Sequence, residues 1–208
     1  MSSIVKVDTI QENTSANGIT VDGLNIKDSK LVTSNSVVTA NITDANITAA
    51  KLASGVLPDN TPAFLAYRGG STQSGLGDNV ATKLQFNTES YDPDSVYDNS
   101  TNYRFVAPSA GKYMLYTNIH IYDASTDIQT FNLAFYKNGS KYSQAYWLKN
   151  SGNRLKYAPL SLTLVANLSS SDYIEVYAQV DTVDGGTTSL EHESGIIQNT
   201  FGGYKIIT

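Results

Sequence analysis

Polar and apolar side chains alternate along several stretches in the second half of the chain, and the clearest is Gly111–Tyr122. A period of two residues is typical of a strand with one buried face. One set of alternate positions would face the core and contains Tyr113, Leu115, Thr117, Ile119 and Ile121. The opposite set contains Met114, Tyr116, Asn118, His120 and Tyr122. A face open to solvent rarely carries a methionine and two tyrosines, so the pattern predicts a contact surface there.

Other short strands follow between turn signals. Phe131, Leu133 and Phe135 occupy alternate positions, and the Asn138-Gly139 pair after them predicts a two-residue hairpin turn. Two further inward-facing sets are Leu160, Leu162, Leu164 and Ala166, and then Ile174, Val176, Ala178 and Val180. The last strand is predicted at residues 201–207. Strands this short and this rich in Val, Ile, Thr and Tyr predict an all-β sandwich.

Aromatic residues divide the chain in two. Residues 1–63 contain no Phe, Tyr or Trp, and every aromatic residue lies at or after Phe64. Aromatic side chains bury the most area per residue, so the first part of the chain can hardly build a hydrophobic core of its own. The sequence therefore predicts a thin leader, residues 1–60, followed by a compact head, residues 61–208, that is long enough for a core.

Six apolar residues in the leader recur at five-residue spacing: Val32, Val37, Ile42, Ile47, Leu52 and Leu57. Neither a helix nor an ordinary strand has this period. The Ala-Asn-Ile-Thr unit resembles pentapeptide-repeat proteins, but so few pentads would form little more than one coil of their β-helix. The stronger resemblance is to the repetitive shafts of bacteriophage fibres, in which three chains would bring these six residues into a shared core. A disordered linker rich in Ser, Thr and Asn is the alternative.

Residues 1–30 show short alternating strands broken by Gly and Asn turns. The segment at residues 4–23 resembles the N-terminal segments of marine and cyanobacterial phage fibres. That resemblance implies that residues 1–30 anchor the protein to the virion. Residues 31–60 would then form the pentad-repeat trimeric shaft, or a linker, between this anchor and the head.

Composition narrows the possible functions. The net charge is −5 and Lys and Arg are scattered singly, which argues against a nucleic-acid surface. The chain has no cysteine, so it offers neither a disulfide nor a thiolate nucleophile. It shows no secretory signal and no apolar stretch long enough to span a bilayer. We therefore predict synthesis in the host cytoplasm without membrane insertion.

Candidate chemistry is sparse. His120 lies within a predicted strand beside tyrosines and is interpreted as a packing or interface residue. Glu191, His192 and Glu193 could bind a divalent metal where three copies meet, but a solvated polar loop is the favoured interpretation. Residues 91–98 resemble a calcium loop without its turn glycine and its terminal glutamate. No nucleophile elbow, phosphate loop or metalloprotease motif occurs, so we predict no enzyme activity, no catalytic or metal site and no cofactor.

A specific resemblance lies in the head. The residues Phe86, Asp92, Tyr97, Phe105, Gly111, Tyr113 and Leu115 follow the order, and nearly the spacing, of the signature of complement component 1q globular heads. Residues 62–68, 135–139 and 201–204 resemble that family's first strand, central hairpin and closing strand. The resemblance covers residues 61–208. It departs from the family pattern by one extra residue between Tyr97 and Phe105, and by a leucine at position 115 where the family prefers phenylalanine.

This family, together with its tumour necrosis factor relatives, implies a ten-stranded jelly-roll head that assembles as a tight homotrimer around an aromatic axis. A trimeric head would match a trimeric shaft, so the two halves of the chain predict the same stoichiometry. The resemblance assigns the trimer interface to Tyr116, Tyr122, Phe201 and Tyr204. The whole chain is thus expected to be all-β, with a thin N-terminal β or repetitive shaft followed by this homotrimeric jelly roll.

The order of strands also predicts where a partner would bind. If consecutive strands are antiparallel, the loops at residues 123–128, 149–154 and 182–198 lie at one end of the head, opposite the hairpin turn at Asn138-Gly139. The shaft should join at the turn end, which leaves these loops distal. Loops on a rigid scaffold often carry recognition residues. The predicted receptor contacts are Asp123, Asp127, Asn150, Asn153, Arg154, Glu191, His192 and Glu193.

Taken together, these features predict a fibre or spike protein of a bacteriophage virion. Its N-terminus would contact other tail or capsid proteins, and its trimeric head would bind a glycan or protein on the host surface, with avidity from three equivalent sites. A capsid or tail decoration protein without an essential receptor is the main alternative. A saccharide-cleaving spike is less favoured, because the head is small and lacks the long β-helix that usually presents such sites.

Overall fold

The computed structural model describes residues 61–123, 128–148 and 155–206, together with the backbone of three short strands in the leader. These strands are β1 (Ile19–Val21), β2 (Leu24–Lys27) and β3 (Lys30–Leu31), and they form an antiparallel sheet in the order β1-β2-β3. The chain divides into two compact units, Met1–Leu57 and Pro58–Thr208. The six predicted shaft-core residues, Val32, Val37, Ile42, Ile47, Leu52 and Leu57, lie outside the described residues.

The described residues of the second unit form strands and connecting turns. In chain order the strands are β4 (Ala63–Tyr67), β5 (Gln73–Leu76), β6 (Thr82–Lys83), β7 (Thr88–Tyr91), β8 (Tyr97–Asp98), β9 (Arg104–Val106), β10 (Gly111–Tyr122), β11 (Ile128–Lys137), β12 (Ser140–Leu148), β13 (Tyr157–Leu168), β14 (Tyr173–Thr182), β15 (Thr188–Leu190) and β16 (Thr200–Lys205). No helix occurs among the described residues, and therefore none there could cross a membrane. The predicted all-β class is confirmed.

Strands β4 to β16 of the second unit form two antiparallel sheets. In the first sheet β10 is central: β13 pairs along one of its edges, while β16 and the short β15 share the other. This sheet continues from β16 to β4 and β7, and from β15 to β5. The second sheet has the order β12-β11-β14-β9-β8, and β6 also pairs with β14. The core lies between the two sheets, with buried residues from both.

The predicted alternation along β10 is confirmed. Its inward residues, Tyr113, Leu115, Thr117, Ile119 and Ile121, are all buried. An aromatic cluster fills the middle of the core: the Phe64 ring stacks on Phe105 at 5.0 Å and meets the edge of Phe201 at 5.0 Å. Burying a phenylalanine side chain contributes about 1.5–3 kcal/mol, and well-placed ring pairs add to this, so the cluster is a main source of stability.

The hairpin between β11 and β12 turns at Asn138 and Gly139, as predicted. Both residues have positive φ, 51° and 80°, which is the backbone of a type I′ turn. Asp172, in the turn between β13 and β14, joins the two turns. Its carboxylate accepts a hydrogen bond from the Asn138 amide at 2.8 Å, pairs with the Lys137 ammonium at 2.8 Å, and accepts the Ser169 N–H at 2.8 Å.

We expect Asp172→Asn to remove a pH-dependent part of the stability. Hydrogen bonds from Lys137, then from Asn138 and the Ser169 N–H, lower the pKa of Asp172 from 3.8 to about 2. A lowered folded-state pKa means that the stabilisation is present above about pH 4 and is lost as the pH falls through about 2. The variant should therefore be less stable than wild type at pH 7, with a smaller loss of stability between pH 4 and pH 2.

Urea unfolding from pH 7 to pH 2 measures this difference. Asp94→Asn is the matched control, because Asp94 is exposed and should leave the pH profile unchanged. Identical profiles for Asp172→Asn and wild type would show that the link between the two turns does not stabilise the fold.

Candidate functional site

The outward side of the first sheet carries a patch of large side chains on four neighbouring strands. We call it the tyrosine face, and it comprises Leu65, Tyr91, Met114, Tyr116 and Tyr204. Cross-strand register brings them together, because Met114 pairs with Tyr204 and Leu65 pairs with Tyr91. Tyr91 and Tyr204 are 46% and 40% exposed. A cluster of exposed aromatic rings on a flat sheet is typical of a surface that contacts another protein.

Gly202 allows the Tyr116 ring to lie against the sheet. It is the cross-strand partner of Tyr116, and a Cβ atom on Gly202 would lie 2.5 Å from both Cζ and the hydroxyl oxygen of that ring. Burial, together with a hydrogen bond to the Tyr91 hydroxyl, raises the pKa of Tyr116 to about 12. The ring is therefore uncharged at neutral pH, so the centre of the tyrosine face carries no charge that association would have to desolvate.

A second aromatic cluster lies farther along β10 and contains Tyr122. The Tyr157 ring stacks on His120 at 5.0 Å and also packs against Tyr122 at 5.0 Å. Six residues of extended strand separate Tyr122 from Tyr116, which is about 20 Å at 3.4 Å per residue. Of the predicted interface residues, Tyr116 and Tyr204 thus belong to the tyrosine face, whereas Tyr122 belongs to this separate cluster.

The assignment of Phe201 to the interface is wrong. Its side chain is fully buried in the core, where the ring packs against Phe64, Tyr97 and Phe135. Strand β16 explains this placement, because neighbouring residues of a strand point to opposite faces. Phe201 points inward and Tyr204, three positions later, points outward.

Asp123 is not an exposed contact residue. It follows β10 directly, is 2% exposed, and its N–H donates to the carbonyl of Lys156 at 2.8 Å. Burial removes its carboxylate from any surface that a receptor could reach, so its predicted role is wrong. The predicted contacts Asp127, Asn150, Asn153 and Arg154 lie outside the described residues.

The predicted distal loop at residues 182–198 contains strand β15, which pairs with the end of β10 and with β5. This segment is therefore partly a sheet element. His192 is half-buried: its N–H donates to Thr72 Oγ1 at 3.3 Å, and its Nδ1 lies 3.3 Å from the carbonyl oxygen of Arg68. The side chain of Glu191 is also half-buried, and Glu193 is exposed. Within the described ranges, no three His, Cys, Asp or Glu side chains are placed to hold a metal ion.

Leu65 and Tyr91 are the residues of the tyrosine face that the sequence did not reveal, and Gly202, which lies beneath the Tyr116 ring, was not predicted either. They lie on strands far apart in the chain and meet only through sheet register. The Gly202-Gly203 pair offered one signal, since glycine inside a strand often marks a place where another group approaches the backbone closely.

Two comparisons find no relative of this chain: no protein-family model and no curated protein sequence matches it. Solved structures do match. The Eiger TNF from S. frugiperda aligns with a TM-score of 0.50 and 13% identity, over 70% of this chain and 92% of that one. The globular domain of zebrafish complement 1qA aligns with a TM-score of 0.47 and 14% identity, over 70% and 98%. At 13% identity the likeness to the Eiger TNF concerns the fold alone, and it confirms the predicted jelly roll.

Proposed function

We propose that this protein is the subunit of a homotrimeric bacteriophage fibre or spike, which projects from the virion and binds the host surface through its head. The main observation that supports this proposal is the tyrosine face. It places three tyrosines, a leucine and a methionine side by side on one outward sheet face, with Tyr91 and Tyr204 nearly half exposed. Association of heads through this face would remove the exposed rings from water, at about 25 cal/mol for each Å² of apolar area.

Two further features favour three copies. The jelly-roll head resembles complement component 1q and tumour necrosis factor domains, and that resemblance implies threefold assembly. The leader has one apolar residue in each pentad, which is too little to form a core in a single chain but would suffice when three chains share an axis. The N-terminus would then join tail or capsid proteins of the virion, and the three heads would bind a host-surface glycan or protein with avidity.

We expect the full chain to have three times the mass of one chain in light scattering coupled to size exclusion, and Tyr204→Arg to be monomeric. The substitution would place an unpaired charge inside the contact, which costs about 2–5 kcal/mol at each interface. Tyr146→Arg is the matched control. Tyr146 is 57% exposed on β12 of the other sheet, so that variant should remain trimeric. A monomeric wild-type chain would contradict the proposal.

Adsorption separates a receptor-binding fibre from a decoration protein. The purified wild-type chain should adsorb to host cells and block infection by the phage, whereas the Tyr204→Arg monomer should lose most of this activity because single heads lack avidity. A trimer that neither adsorbs nor blocks infection would favour the decoration protein.

A further inference from the structure

A cavity of about 410 Å³ opens beside the second aromatic cluster, between β10, β13 and residues 197–200. Its size lies within the range of small-molecule sites in proteins, about 300–1,000 Å³. Asn118, Ser161 and Thr200 line it from three adjacent strands, because Asn118 pairs with both of the others in the sheet register. The part of the wall that these three residues form is therefore held by the central sheet.

Residues 197–199 form the remaining wall, and the side chain of Asn199 holds it in place. Its side-chain Oδ1 accepts the N–H of His120 at 2.6 Å, and its Nδ2 donates to the carbonyl of Glu191 at 2.8 Å. Asn199 is buried and has a positive φ of 51°, a conformation that asparagine tolerates better than most residues. These bonds tie residues 191–200 to β10, so the cavity is formed before any ligand arrives.

Four polar side chains that line the cavity make no hydrogen bond to another residue within the described part of the chain, those of Asn118, Ser161, Gln198 and Thr200. Each of these amide and hydroxyl groups can both donate and accept. Sugar hydroxyls have the same double capacity, so the free groups match a ligand that is rich in hydroxyls.

The rest of the lining selects for a neutral ligand with an apolar face. None of the described residues that line the cavity is Lys, Arg, Asp or Glu, so the lining offers no permanently charged partner for an anionic or cationic ligand. Pro159 and Ile197 supply apolar surface, and the His120 ring is supported by Tyr157 stacked on it at 5.0 Å. A pyranose ring has a face of C–H groups that packs well on the electron-rich face of an aromatic ring.

We propose that this cavity binds one neutral sugar residue. The inference rests on the proposed function in so far as a host-surface glycan supplies that sugar. The ring would pack against His120 and Pro159, and its hydroxyls would bond to Asn118, Ser161 and Gln198. Asn118 and His120 lie two and four residues beyond Tyr116 on the same face of β10, about 7 Å and 14 Å away. The cavity therefore borders the tyrosine face, and a sugar at its His120 end would lie beside that face.

Saturation-transfer difference NMR on the full chain tests the site directly. The probes are glucose, galactose, mannose, rhamnose and N-acetylglucosamine, with glucuronate as the charged comparison. At least one neutral sugar should receive saturation, and glucuronate should receive none. Asn118→Ala and Ser161→Ala should each weaken binding by about three- to tenfold, and the double variant by more than tenfold, because each change removes one or two hydrogen bonds.

Thr163→Val is the matched control. Thr163 lies two residues from Ser161 on the same face of β13 and outside the cavity lining, so loss of its hydroxyl should leave sugar binding unchanged. Absence of binding by every neutral sugar, stronger binding of glucuronate, or unchanged binding by the double variant would each overturn the proposal.

Light scattering and cell adsorption on the same samples separate this proposal from the proposed function. A trimer that adsorbs to cells but binds no neutral sugar would overturn only the cavity assignment. A monomer whose sugar binding depends on Asn118 and Ser161 would support the cavity and overturn the trimeric fibre.

Discussion

Replacing Phe201 with alanine is expected to lower the free energy of unfolding by about 3–5 kcal/mol, the usual cost of deleting a large aromatic side chain from a core. The ring is fully buried and meets four other rings: Phe64 at 5.0 Å, Phe135 at 5.7 Å, Tyr97 at 5.9 Å and Phe86 at 6.0 Å. Phe64 belongs to one sheet, and Tyr97 and Phe135 belong to the other, so these side chains cannot all close over the space that the lost ring leaves. The variant would retain a cavity between the sheets.

Denaturant unfolding at a fixed protein concentration measures this loss. Tyr146→Ala also deletes an aromatic ring, but Tyr146 is 57% exposed, and we expect a change below about 1 kcal/mol. A loss of less than about 1 kcal/mol for Phe201→Ala would mean that the ring does not pack between the sheets. Phe201 would then lie at the surface, in agreement with its predicted place in the trimer interface.

The spacing of Phe201 and Tyr204 in the sequence explains why the assignment of Phe201 to the interface is wrong. Phe201 and Tyr204 are three residues apart on one strand, and an odd separation puts two side chains on opposite faces. They could not both face an axis while β16 remained regular. The family resemblance suggested both as interface residues, but the two-residue period alone would have separated them. The same period worked well for β10, where the predicted bounds and the predicted core face are both confirmed.

Signals between residues close in the sequence were sufficient to predict the hairpin turn and the fold class. The Asn138-Gly139 turn depends only on two residues that tolerate positive φ, and the alternating strands around it depend on local pattern. The tyrosine face and the cavity depend on register between distant strands. Asn118, Ser161 and Gln198 become neighbours only when β13 and β16 pair with β10, and a single sequence does not specify that pairing.

Local sequence pattern also failed to predict the burial of Asp123 and the short strand within residues 182–198. The sequence predicted loops there, between consecutive antiparallel strands, yet β15 is a strand of three residues that completes the sheet beside β10. A strand this short has too few positions to show a period. Asp123 is buried because the chain folds back beside it, with its N–H bonded to the carbonyl of Lys156. The burial of a polar residue by a distant segment leaves no local signal.

Gly202→Ala and Gly203→Ala are expected to separate assembly from folding, although they make the same chemical change at neighbouring positions. The two residues point to opposite faces of β16. At Gly203 the new methyl group would lie 2.8 Å from the carbonyl oxygen of Met114 and 2.8 Å from Leu115 Cδ2. The Met114 carbonyl belongs to the backbone of a central strand and cannot move away. We therefore expect Gly203→Ala to lose about 1–3 kcal/mol of stability, as overpacked cores do.

At Gly202 the three atoms nearest to the new methyl group all belong to the far end of the Tyr116 side chain, with Cζ and the hydroxyl oxygen at 2.5 Å. That ring can rotate away from the sheet without disturbing the core, but it then gives up its contact with β16 and its hydrogen bond to Tyr91. The tyrosine face loses its flat centre while the fold remains. We expect a monomer in light scattering and an unfolding midpoint that no longer rises with protein concentration, as the midpoint of a trimer does. A Gly202→Ala chain that stays trimeric, with a midpoint that still rises with concentration, would show that the heads associate through another surface.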